Sequence, residues 1–130
     1  MVASLRIRAL GMLVLLLVIA TVGGSLALES SYVLAYLALH VGLAVLLVGF
    51  SAHVLIAAFR SAKTPAKAGA LIAFLCALGA TIAGTFFLFG GGSDLALDFM
   101  EGLTVVGVIG IILILVWGSV PASPPTTTPA

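Results

Sequence analysis

The two histidines of the chain, His40 and His53, stand thirteen positions apart in LALHVGLAVLLVGFSAHVLIAAFR, residues 37–60, where nearly every other residue is apolar. Neutral imidazole is a common metal ligand, and paired histidines are a usual way to hold haem iron. An ionisable side chain in so apolar a run marks a functional position by default, because polar groups there are costly unless they find partners. Thirteen residues rise about 19.5 Å along a helix, a separation that suits two haems stacked toward opposite membrane faces. The azimuth argues otherwise. At about 100° per residue the two imidazoles point roughly 140° apart, so they are expected to serve different neighbours.

His53 shares a helix face with Gly42, Leu46, Gly49, Ala57 and Arg60. Gly42 and Gly49 leave flat space beside the imidazole, suited to a porphyrin or to a large side chain from a neighbouring helix. His40 shares its own face with Tyr36, Leu37, Ala44 and Leu47. The expected cofactor is haem b, with His40 and His53 as metal ligands. A six-coordinate iron needs a second ligand, and no other stretch of the chain carries a histidine. That ligand must come from a second copy across a two-fold axis, from another subunit, or from a methionine such as Met12 or Met100, which match His40 in depth. Without haem, the histidines would be hydrogen-bonded to backbone carbonyls or would accept protons.

Carboxylates form the other candidate. Asp94, Asp98 and Glu101 follow steps of four and three and project from one side of a helix start. Together with Glu29 they form a candidate outer-side acidic site for a cation, a proton or a partner. The simpler expectation is that Gly90, Gly91 and Gly92 end one helix, Ser93 or Asp94 caps the next, and the carboxylates complement its positive end.

The elements that carry these residues follow from composition. The chain is 63% hydrophobic and 7% charged, with a mean hydropathy of +1.42. A soluble domain carries about a quarter charged residues, so the solvent for this chain is lipid. Charged positions leave four uncharged windows, 9–28, 30–59, 68–93 and 102–120. Each holds the roughly 20 residues that cross the hydrocarbon core, and inside lipid each must be a helix. The expected fold is an all-α integral membrane protein: a single four-helix up-down bundle over residues 1–120. Its helices fall at about 9–28, 31–60, 67–90 and 94–119, followed by a disordered Pro/Thr tail over 121–130, PASPPTTTPA. The segment 9–28 could also be a cleavable signal, although its apolar run is longer than such signals usually have.

Arg6, Arg8, Arg60, Lys63 and Lys67 all fall on one side of such a bundle. By the positive-inside rule that side is cytoplasmic, with both termini there, in a prokaryotic-type plasma membrane. The single cysteine, Cys76, excludes an intrachain disulfide. Cys76, Ala80 and Gly84 make a small-residue stripe on helix 3, and helix 4 adds Gly107 and Gly110, so close helix contacts are expected there. A net charge of +1 gives no steering toward nucleic acid, and no phosphate loop or nucleophile triad is present.

The segment LHVGLAVLLVGFSAHVLIAAFR, followed by a basic loop, resembles the histidine-bearing second helix of four-helix haem units. It resembles haem A synthase in its half-size form, and GLTVVGVIGIILILVWG resembles the closing helix of such a half. Small cytochrome b subunits carry similar helices. The resemblance implies a haem ligand at His40. The family's fourth-helix histidine is replaced here by FMEG, with Met100 and Glu101, and its Glu-x-x-His signature is absent. Three functions are consistent with these features. The first is a haem-binding subunit for electron transfer in a respiratory assembly, working as a homodimer or within a larger membrane complex. The second is a cofactor-free accessory subunit, and the third is an oxidase-assembly enzyme of the haem A synthase type.

Overall fold

The structure is a computed structural model and describes residues 2–28 and 34–118. Four helices follow one another, α1 (Val2–Leu28), α2 (Leu34–Ser61), α3 (Thr64–Phe89) and α4 (Asp94–Trp117). All four are long and apolar enough to cross a membrane. Among the described residues there is no strand. Glu29 and the tail over 121–130 lie outside the described residues.

The helix ends differ from the sequence expectation in ways the local chemistry explains. α1 starts at Val2 rather than at residue 9 and takes Arg6 and Arg8 into the helix. Nothing in LRIR breaks a helix, and arginine is among the better helix formers. α3 starts three residues early, at Thr64, because Pro65 sits in its first turn, where a missing N–H costs nothing. It stops at Phe89, where the Gly90 N–H donates to the Phe86 carbonyl at 2.7 Å. The next two residues, Gly91 and Gly92, take φ values of +84° and +79°, a region that only glycine enters without strain.

The helices form a ring. α1 packs on α2 and α4, α3 packs on the same two, and neither diagonal pair touches. Leu5, Ala9 and Met12 of α1 share one buried cluster with Val54 and Ala58 of α2, Ala66 and Ala70 of α3, and Ile111 and Ile114 of α4. The starts of α1 and α3 therefore lie beside the ends of α2 and α4, so neighbours run antiparallel. This cluster fills the end of the bundle that carries the basic residues. Its alanines allow the close approach on which packing between apolar helices depends.

The tightest approach joins α3 to α4. A Cβ built on Gly69 would lie 2.5 Å from the Gly110 carbonyl oxygen, and one on Gly110 would lie 2.7 Å from the Gly69 oxygen. Farther along, Gly107 rests on Cys76, and Gly84 rests on Met100. The stripe read from the sequence thus does face α4 at Cys76 and Gly84. The crossing point, however, lies at Gly69 and Ala73, nearer the basic end.

Arg6 ties the ring shut. Its Nη2 donates to the Val116 carbonyl at 3.3 Å, placing a cation at the negative end of α4. Arg6→Ala is expected to lower stability by about 0.5–1 kcal/mol, the usual range for a charge at a helix terminus. Detergent unfolding at low and high salt checks this, because the loss should shrink as salt screens the charge. An Arg6→Ala chain with an unchanged midpoint at low salt would remove the tie.

Candidate functional site

α2 presents two unlike faces. Leu47, Ser51, Val54 and Ala58 are buried on the inner one, where the Ser51 hydroxyl donates to the Val48 carbonyl at 2.9 Å. On the outer face Ala35, Leu39, Gly42, Leu46, Gly49, His53, Ile56 and Arg60 are all exposed. They step alternately by four and three, so they form one straight seam along the helix. Nothing lies within 4 Å of a Cβ built on Gly42 or on Gly49. His53 is exposed in the middle of this seam, one turn from Gly49, and it enters no hydrogen bond or ion pair among the described residues. Histidines in spans usually face the bundle interior. This one does not.

His40 faces the other way, into α1. A Cβ built on Gly23 would lie 2.7 Å from His40 Cε1, 3.2 Å from Nδ1 and 3.6 Å from Nε2. The ring edge bearing both nitrogens is therefore turned onto the α1 backbone, close to the Ile19 carbonyl. Nδ1 is buried and has no hydrogen-bond partner. The two imidazoles meet different surroundings, as the azimuth required.

Neither methionine reaches His40. Met12 is 1% exposed inside the core at the basic end, in the cluster with Val54 and Ala58. It stands eleven residues, or about 16.5 Å of helix, from the Gly23 level at which His40 packs. The expectation that it matches His40 in depth is thus corrected. Met12 lies in the half of α1 nearer its start at the basic end, whereas Gly23 lies five residues from the helix's other end. Met100 packs on Gly84 of α3, and its own helix α4 does not touch α2.

Asp94, Asp98 and Glu101 are all exposed on α4. Ser93 occupies the N-cap position, yet its side chain makes no capping bond; its carbonyl instead accepts from Ala96 at 3.0 Å. Side-chain capping by Ser93 is therefore absent. Glu29 lies outside the described residues, so its place in an outer acidic group is not defined. Among the described residues no group of three or more His, Cys, Asp or Glu side chains is arranged to hold a metal.

A haem needs a flat space against its ligand, and the two histidines differ in the space beside them. The core at the basic end is filled, with Met12, Val54 and Ile114 at 1% exposure or less. At His40 a haem would have to enter between α1 and α2, where even a Cβ on Gly23 does not fit. At His53 the glycine one turn away leaves open space. The outer face of α2 thus leaves room beside His53, whereas the contact with Gly23 leaves none beside His40 on the α1 side.

Sequence reasoning missed Gly23 and Gly69. Both were visible as glycines, but nothing in their flanking residues indicates which neighbour they would meet. Comparison with protein-family models, curated proteins and solved structures found no match for this chain.

Proposed function

We propose that this chain is a haem-binding membrane subunit for electron transfer in a respiratory assembly, with His53 as the residue that would hold a b-type haem. The observation that carries the reading is the exposed seam of α2, where His53 stands beside the open space at Gly49. When bound, the haem iron supplies reversible one-electron transfer. His53 would hold it through an imidazole nitrogen, and Gly42 and Gly49 would let the ring lie against the helix. Leu46 and Ile56 would keep water away. A further ligand would come from an abutting chain, either a second copy across a two-fold axis or another subunit of a larger complex. The protein would sit in a prokaryotic-type plasma membrane with its basic end and both termini cytoplasmic, as the clustering of all five Lys and Arg residues favours. In this reading His40, which a haem A synthase likeness would make the ligand, is a packing residue between α1 and α2.

A second reading has its own observation. Ala35, Gly42 and Gly49 on one exposed seam also suit direct contact with another helix, and His53 would then hydrogen-bond across that contact. The chain would be a cofactor-free accessory subunit.

The test is an oxidised-minus-reduced visible spectrum of the protein purified from its native membrane, with a pyridine haemochrome assay on the same sample. The expected result is a Soret band with sharp reduced α and β bands and a b-type haemochrome. His53→Ala should lose it, and His40→Ala should retain it. Loss with His40→Ala alone would move the ligand to His40. Haem A together with haem-modifying turnover would favour the synthase type. A folded, colourless protein would leave the accessory reading.

A further inference from the structure

All five basic residues lie at one end of the bundle, Arg6 and Arg8 on α1, Arg60 at the end of α2, Lys63 before α3 and Lys67 in its first turn. Among the described residues that end holds no carboxylate. Asp94, Asp98 and Glu101 are at the start of α4, about 25–35 Å away along the helix. Arg6 already has the Val116 carbonyl. Arg60, Lys63 and Lys67 have no hydrogen-bonding acceptor or ion-pair partner among the described residues. They are grouped where α2 passes into α3, and the first turn of α3 adds positive potential with no acidic residue to offset it.

One contact fixes the setting of this cluster. The Lys67 ammonium lies 5.9 Å from the centroid of the Phe59 ring, and that ring is 55% exposed on the outside of the bundle. Below it, Ile56 of α2 and Leu71 of α3 continue the exposed apolar surface. A cation at the rim of such a surface sits where a phospholipid places its phosphate above its acyl chains.

We propose that Arg60, Lys63 and Lys67 form a binding site for the phosphate of an anionic phospholipid. The guanidinium and ammonium groups would donate to its oxygens, and the acyl chains would lie on Phe59 and Leu71. The site rests on the membrane setting proposed above and is independent of haem.

The experiment places the full-length protein in phosphatidylcholine nanodiscs with a minor fraction of phosphatidylglycerol. Lipid retained per chain after neutral-detergent extraction is then read by native mass spectrometry. Wild-type protein should retain phosphatidylglycerol over phosphatidylcholine. Each cation removed should lower its affinity about fivefold, so Lys63→Gln/Lys67→Gln should lose roughly 25-fold. Arg6→Gln/Arg8→Gln, on α1 rather than at the α2–α3 connection, should lose less than about threefold. Equal retention of the two lipids would overturn the site, and so would equal losses in both double variants, which would mean diffuse charge. Displacement of the lipid by inorganic phosphate alone would overturn it in favour of a free-anion site. Failure of the wild-type chain to enter nanodiscs would instead overturn the membrane setting.

Discussion

Replacing Gly110 with leucine should separate α3 from α4 and cost roughly 3 kcal/mol or more, above the usual range for overpacking because the obstruction is backbone. A Cβ there would lie 2.7 Å from the Gly69 carbonyl oxygen and 2.9 Å from the Ala73 nitrogen. Side chains can turn aside from such a contact, but the main chain of a packed helix cannot. Relief requires the two helices to move apart along their length, which loosens Gly107 from Cys76 as well. Gly110→Ala should show a smaller loss of the same sign, partly offset by about 1 kcal/mol of helix propensity. Gly49→Ala is the matched control. Its Cβ would meet nothing within 4 Å, so the isolated chain should lose nothing to packing and gain about 1 kcal/mol from helix propensity. Equilibrium unfolding by a denaturing detergent, followed by circular dichroism, measures all three. Equal midpoints for Gly110→Leu and wild type would disprove the close crossing.

Gly23→Val should be the second most damaging change, for a different reason. The obstruction is the tip of the His40 ring, which can leave only by rotating away from α1. The expected loss is about 1–3 kcal/mol, the ordinary range for forcing volume into a packed contact. In a His40→Ala background the same change should cost less than about 0.5 kcal/mol, so the cycle should report a coupling of about 0.5 kcal/mol or more. The same pair of variants bears on function. If His53 holds haem, Gly23→Val leaves the visible spectrum unaltered, because α1 and the outer face of α2 do not share residues. Additive losses in the cycle would mean that the two residues are not in contact.

Much of this architecture was legible from residues alone, and the reason is the solvent. With 7% charged residues the chain has no means of covering a water-facing surface, and lipid leaves helices as the way to satisfy its backbone. Three consecutive glycines mark the one tight break between α3 and α4, and Gly91 and Gly92 do take the positive φ that calls for glycine. The divergence of His40 and His53 was likewise fixed by helical geometry, since thirteen steps do not return to the same face.

Which face turns inward was not legible. A helix in water announces its buried side by polarity contrast, whereas α2 is apolar all round, with Leu47 buried and Leu46 58% exposed. Leu46 and Leu47 are equally apolar, so only the packing of four helices decides between them. That packing turned His53 outward, set His40 on Gly23, and placed the closest crossing at Gly69 and Gly110, where shape rather than polarity selects the partner. By itself the sequence determined the number of helices, their order and the spread of the two imidazoles, because these depend on solvent and helical pitch. Tertiary structure alone decided which imidazole is open to a ligand, because that depends on where backbones can touch.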